Sequence, residues 1–180
     1  MELMLIIHWL RVLRYFWKNN FIMFGELSQS QIEDVLHKQV IGRIGCHAES
    51  LTYIVPISYS YDGKYIYGLT QEGMKIDMMR KNRQICFEVD TMQNMANWES
   101  VISWGEFEEI TDEMDRQFAL QILHGRILPL ISSATAKLTP EWPFAPDDMN
   151  VIKGVVFRIL LKKKTGRFEN NTIPSFMSWG

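Results

Sequence analysis

Cysteine is scarce in this chain of 180 residues, and the two present, Cys46 and Cys86, lack the paired spacing of a zinc site or a redox motif. Each sits inside an apolar, strand-like segment, so both are expected to be buried, reduced thiols. Charge of one sign is also missing. The net charge is −2, and no aromatic-interleaved basic stripe appears in the body of the chain, which sets nucleic acid aside as a partner. Carboxylate pairs, a Ser–His–Asp arrangement and clusters of metal ligands are absent as motifs, so no metal is expected and no catalytic residue is assigned. Internal repeats and low-complexity tracts are absent as well.

What remains is an ordinary globular composition, 47% apolar and 22% charged, of a length that suits one domain with an appendage. Residues 1 to 22 differ in character from the rest. Leu3, Ile6, Ile7, Leu10, Leu13 and Trp17 recur at helical spacing, while His8, Arg11, Arg14 and Lys18 gather on the other side. This basic amphipathic segment is too short and too charged to span a bilayer. Its positive charges follow the apolar run, which argues against a secretory signal and leads to the expectation of a cytoplasmic protein. It either docks on the folded body or a second subunit, or lies upstream of a natural start at Met23. Contact with an anionic membrane surface is the less favoured reading. The chain therefore divides into an extension (1–22), a main domain (23–165) and a tail (166–180).

A capping signal near Ser28 (Ser30 followed by Glu33) introduces a short helix carrying Ile32, Val35 and Leu36 on one face. Strands are expected at about Val40 to Cys46, Thr52 to Tyr61, Lys64 to Leu69, Gln84 to Val89, Trp98 to Glu109 and Val151 to Lys162. Asp62-Gly63 between two Tyr-rich runs is a hairpin signal, because glycine accepts the positive φ that such turns demand. A helix from Thr111 to about Ile127 should bury Phe118, Ile122 and Leu123, followed by a Pro-, Ser- and Thr-rich loop from Pro129 to Pro146. Short strands joined by tight turns predict a mainly β fold, a small antiparallel barrel with flanking helices.

Thr70, Gly73 and Lys75 fall where the third strand gives way to an amphipathic run containing Ile76 and Met79. A helix N-terminus leaves N–H groups unpaired, so a hydroxyl, a glycine and a lysine there form a candidate phosphate cradle; the alternative is an ordinary capped helix.

Several ordered pieces carry a family resemblance: Ile41-Gly42-Arg43-Ile44-Gly45-Cys46, Val55-Pro56-Ile57-Ser58-Tyr59, Tyr67 through Lys75, Cys86-Phe87-Glu88-Val89-Asp90, and Trp98-Glu99-Ser100-Val101 running to Gly105. Together they resemble the pyridoxamine-phosphate-oxidase-like, FMN-binding split barrels over about Leu27 to Lys163, in particular the group that includes the 5-nitroimidazole-resistance proteins. The resemblance implies a homodimer with flavin between its subunits, usually FMN, with FAD as the alternative. Pro56, Ile57 and Ser58 would offer main-chain groups to the ring edge, and Thr70 and Lys75 would contact the phosphate. Trp98, Ser100 and Val101 would pass near the ring or ribityl chain, with an ordinary barrel role the alternative for Trp98. Arg43 is read equally well as a rim salt bridge. Many relatives carry histidine just before the phosphate-contacting hydroxyl, where this chain has Leu69 beside the ring. The resemblance thus points to a flavin-dependent oxidoreductase of the nitroimidazole-reductase type. The missing histidine keeps open a flavin-binding protein without turnover, and a haem-binding barrel is the weakest alternative. His8, His37, His47 and His124 lie outside the motif and are read as surface or packing residues.

Overall fold

The computed structural model describes residues 22–126 and 152–171. Among these residues seven strands form one antiparallel sheet: β1 (Ile22–Glu26), β2 (Ile41–Ala48), β3 (Leu51–Tyr61), β4 (Tyr65–Thr70), β5 (Gln84–Asn94), β6 (Asn97–Glu109) and β7 (Val155–Asn171). The order is β1-β7-β4-β3-β2-β5-β6, and β6 pairs back onto β7, which closes the barrel. Among the described residues three helices flank it: α1 (Gln29–Lys38), α2 (Met74–Lys81) and α3 (Glu113–His124). The fold is a mainly β split barrel with flanking helices.

Local chemistry explains where the elements begin. Ser28 caps α1 by accepting from the Gln31 N–H, and the Ser28 N–H donates to the Gln31 side-chain oxygen, so two otherwise unpaired donors are satisfied together. The predicted cap thus moves two residues, from Ser30 to Ser28, while Ile32, Val35 and Leu36 are buried as expected. In the hairpin between β3 and β4, Gly63 has φ of 96°, and Asp62 accepts from the Lys64 and Tyr65 N–H groups.

Alternation then decides the faces. Ile57, Tyr59 and Tyr61 of β3 point into the core with Ile44 of β2 and Phe87 of β5, so Ile54, Pro56, Ser58 and Ser60 belong to the outer face. A second apolar cluster sits outside the barrel, where Ala119, Leu120 and Leu123 of α3 pack on Tyr67 and Val156. Tyr59 fastens α1 to β3 by donating its hydroxyl to the Leu36 carbonyl at 2.9 Å.

Several boundaries differ from the sequence reading. β7 runs to Asn171, past the strand end expected at Lys162, because its polar Lys163–Thr165 stretch keeps pairing with β6 beyond a one-residue register shift at Lys162 and its far end pairs with β1. β1 itself was not anticipated; among the described residues it pairs with that far end alone. β5 extends to Asn94. The third helix is shorter, starting behind Asp112, and it buries Ala119 and Leu120 where Phe118 and Ile122 were expected; Phe118 is 55% exposed. The loop from Pro129 to Pro146 and residues 1–21 lie outside the described residues.

Candidate functional site

The barrel is open at one seam. β3 and β4 pair only at Tyr59–Gly68, Ser60–Tyr67 and Tyr61–Ile66. Beyond Tyr59, β3 stays paired to β2 alone, and Leu69 and Thr70 pair to β7 alone, opposite Val156 and Val155. The Tyr59 N–H donates to Val40 on the β2 side. Main-chain groups alternate sides along a strand, so the Ser58 N–H and the Pro56 carbonyl point toward the opening. The Ser58 hydroxyl is also buried without a hydrogen-bond partner, as is that of Ser60 two residues on. Among five sequence-predicted residues, Pro56, Ile57, Ser58, Leu69 and Thr70, the seam is the shared location. The Ile57 side chain is buried in the core, which leaves only its main chain for a ligand, while Leu69 packs against the Tyr67 cluster.

Just beyond the seam, α2 begins at Met74 behind Gly73, its N-cap residue, whose φ of 151° favours glycine and which offers no side-chain capping hydrogen bond. The first N–H groups of α2 therefore have no side-chain cap. Lys75 follows, half-buried, and among the described residues it has no carboxylate partner. Burial pushes its ammonium below the usual lysine range, with the Cys46 thiol acting weakly in the other direction. Glu72, three residues earlier, is taken up by Arg80 through two hydrogen bonds of 2.8 and 2.9 Å. The result is a half-buried positive charge on the first turn of a helix whose leading amides have no side-chain cap, which meets the electrostatic requirement of an anion site.

Strand register orders the rest of the outer face into transverse rows. Ser58 lies opposite Ile41, and further along the same row come Asp90 and Ser100. The next row is Pro56, Arg43, Glu88 and Ile102, and the third is Ile54, Gly45, Cys86 and Trp104. Trp98 and Ser100 thus share the outer face with Ser58 but stand three strands away, about 14 Å at ordinary strand spacing. The structure does not bring them to the seam within one chain. Trp98 donates its indole N–H to Glu169 at 3.0 Å, and Ser100 donates to Glu88 at 3.3 Å. Val101 is fully buried and turned into the core, which removes its side chain as a ligand contact. Arg43 is held by Glu88 at 2.9 Å and by Asp90, as the salt-bridge reading expects, and both carboxylates raise its pKa.

Sequence reasoning missed a groove of about 520 Å³ on this face, lined by Ile54, Gly45, Cys86, Trp104 and His47 among others. Cys86 is only half-buried there, contrary to the expectation of a buried thiol, because it faces outward on β5. Alternation along β2 puts Arg43, Gly45 and His47 on one face. No local signal shows that four strands align these positions side by side. Among the described residues no group of acidic, histidine or cysteine side chains is arranged to hold a metal, and no helix is long and apolar enough to cross a membrane.

A model of the pyridoxamine 5'-phosphate oxidase family matches residues 28–167. The chain belongs to that family. An FAD-binding protein from Mesorhizobium loti is 28% identical, with a TM-score of 0.62 over 82% of this chain and 99% of that one. A 5-nitroimidazole antibiotic resistance protein of Bacteroides thetaiotaomicron, so named as a candidate, has the same fold at 18% identity, with a TM-score of 0.62 over 83% of this chain and 90% of its own. An uncharacterized protein of Rhizobium meliloti (strain 1021) is 29% identical over 84 residues, 47% of this chain; the match spans 56% of that relative's length. The family match ends at residue 167, inside the strand that continues to Asn171.

Proposed function

We propose that the protein is a flavin-dependent oxidoreductase that holds FMN, with FAD as the alternative, at the seam between β3 and β4. The observation that carries this reading is the pairing of unsatisfied polar groups at the seam with the unpartnered Lys75 at the start of α2. The Ser58 N–H, the Ser58 hydroxyl and the Pro56 carbonyl suit the alternating donors and acceptors along an isoalloxazine edge. Lys75, the Thr70 hydroxyl and the α2 amides suit a phosphate, whose negative charge would relieve the cost of burying the ammonium. The residues present therefore fit the group. A bound flavin supplies hydride and single-electron chemistry, and the protein's part is to position the ring and exclude water.

A second copy of the chain completes this reading. Trp98 and Ser100 are too far from the seam to serve the same flavin as Ser58 of their own chain, so they would reach one held by a partner. The outer face also exposes Ile41 at 60%, Ile54 at 67% and Trp104 at 43%, an apolar surface of the kind that subunit contacts cover. Reduction of 5-nitroimidazoles is the finer activity proposed. Leu69 supports a second reading, a flavin-binding protein without that turnover, because its side chain packs into the Tyr67 cluster and carries no proton.

The test is the absorption spectrum of the purified protein, followed by mass identification of what heat releases. FMN or FAD near one per chain supports the reading, and a colourless protein that takes up neither on titration overturns it. Turnover with a nicotinamide donor and a 5-nitroimidazole then separates the two readings.

A further inference from the structure

Thr70 ends β4 with a neighbouring strand on one side only. Because β4 has parted from β3 after Gly68, the position of the Thr70 hydroxyl depends on Val155, the first residue of β7, which lies opposite it. What precedes Val155 is not regular structure. Residues 152–154 are an irregular stretch, and it packs hard on the end of β4: a Cβ on Gly154 would meet the Thr70 carbonyl oxygen at 2.8 Å and the Leu69 side chain at 3.2 Å. Arg116 of α3 holds this stretch. Its two terminal nitrogens donate separately, one to the Ile152 carbonyl at 2.6 Å and the other to the Gly154 carbonyl at 3.3 Å, so two main-chain acceptors outside any strand ladder are satisfied by one side chain. Neither charge pairing nor the helix explains Arg116. Among the described residues it has no carboxylate partner, unlike Arg43, Arg80 and Arg158, and on the first turn of α3 it stands at the end of the helix dipole that disfavours a cation. Its base is firm. Asp112 caps α3 by accepting from the Asp115 N–H at 3.0 Å, Arg158 of β7 bonds Asp115 at 3.3 Å, and Leu120 belongs to the same apolar cluster as Ile152.

We infer that Arg116 is a positioning residue for the flavin phosphate: by clamping the Ile152 and Gly154 carbonyls it fixes the stretch on which Thr70 packs, and so sets the Thr70 hydroxyl toward the phosphate. The inference rests on the flavin reading and adds to that site a residue of α3, outside the strands and helix that line it. Arg116 acts through the 152–154 stretch, not by touching the ligand. A planar guanidinium can hold two carbonyls at a set separation, whereas an ammonium is a single point of charge, so the geometry of the fork and not the charge alone does the positioning. Lys75 is independent of the clamp. It stands on α2, past Gly73, so loss of Arg116 should remove the hydroxyl's share of phosphate binding and leave the lysine's in place.

Titration of the flavin-free full chain with FMN and with riboflavin, which lacks the phosphate, tests this. The wild-type protein should prefer FMN by at least about tenfold, the value of a charge-assisted contact. Arg116→Ala should cut that preference about threefold to tenfold by weakening FMN while leaving riboflavin affinity unchanged, the value of one hydrogen bond. Thr70→Ala should cut it by a similar factor. The double variant should be no worse than Thr70→Ala alone, because the clamp then has no hydroxyl to set. Arg116→Lys keeps the charge and loses the fork, so it should resemble Arg116→Ala, and it carries the test if the alanine variant fails to fold. Equal losses for FMN and riboflavin would mark a general loosening of the fold and overturn the positioning role. Additive losses in the double variant, or a full preference for FMN in Arg116→Lys, overturn it as well, and each of these leaves the flavin reading intact. A wild type that binds both flavins equally overturns the phosphate site and this inference with it, and a wild type that binds neither overturns the flavin reading itself.

Discussion

Ser58 and Leu69 are the next couple in line after Tyr59 and Gly68 in the β3–β4 register, and they do not pair. The side chain at position 69 therefore stands at the lip of the seam, one residue before Thr70. If a histidine at this position takes part in nitroimidazole reduction, Leu69→His should increase turnover of a 5-nitroimidazole with flavin occupancy unchanged, since Thr70 and Lys75 stay in place. Equal, robust turnover by both proteins would show that the position is immaterial. The substitution also removes apolar packing against Tyr67, so its melting temperature should fall modestly.

Lys75 should show opposite effects on binding and on stability. Burial holds its folded-state pKa below the unfolded value, so the protonated ammonium destabilises the unliganded fold below the folded pKa, and that penalty fades as pH rises through the folded value toward the unfolded one. Lys75→Met should thus leave the unliganded protein as stable or more stable near neutral pH. The same change should weaken flavin binding about tenfold to hundredfold, because a charge-assisted contact is worth roughly 1.5–3 kcal/mol. Titration of the flavin-free protein and a thermal melt measure the two effects. Unaltered affinity would remove Lys75 from the phosphate site.

The attachment of α1 should carry an acid-sensitive component. The Tyr61 hydroxyl donates to Glu33 at 2.7 Å, and Lys164 bonds to both, at 2.8 Å to the Tyr61 oxygen. Burial favours the neutral acid, but the Lys164 and Tyr61 hydrogen bonds outweigh it and hold Glu33 below the usual carboxylate range. A depressed folded pKa gives stability that is present above the unfolded carboxylate value, about 4.3, and lost as pH falls through the folded one. Lys164→Met should cost roughly 1 kcal/mol at neutral pH and flatten the fall in stability below about pH 5, read by denaturant melts across that range.

Assembly gives a further check. A dimer of two 21.2 kDa chains is expected by light scattering, and a charge placed at the centre of the outer face should break it. Ile102→Glu is suited to this, since Ile102 is 38% exposed and outward-facing in the same row as Pro56, Arg43 and Glu88. Monomers with lost flavin would fit a site shared between copies. Monomeric wild-type protein holding one flavin per chain would contradict it.

Local information in the chain was enough for the central strands and helices and for the chemistry at their junctions, though not for β1. Asp62-Gly63 fixed the hairpin, the alternation of Ile57, Tyr59 and Tyr61 fixed the inward face of β3, and Thr70, Gly73 and Lys75 marked the start of α2, because turn conformation, side-chain period and helix capping each depend on residues a few positions apart. The end of β7 was illegible for the opposite reason. Its last residues are polar, and only pairing with β1, more than 140 residues earlier, and with β6 makes them a strand. The seam likewise exists because β3 and β4 part company after Tyr59 and Gly68, a decision taken by β2 and β7 on their other edges. Register between distant strands also set Gly45 between Ile54 and Cys86, and brought His47 opposite Thr52. A cavity is a property of side chains that meet across the sheet, and sequence neighbours on alternating faces carry no record of which distant strand will lie beside them.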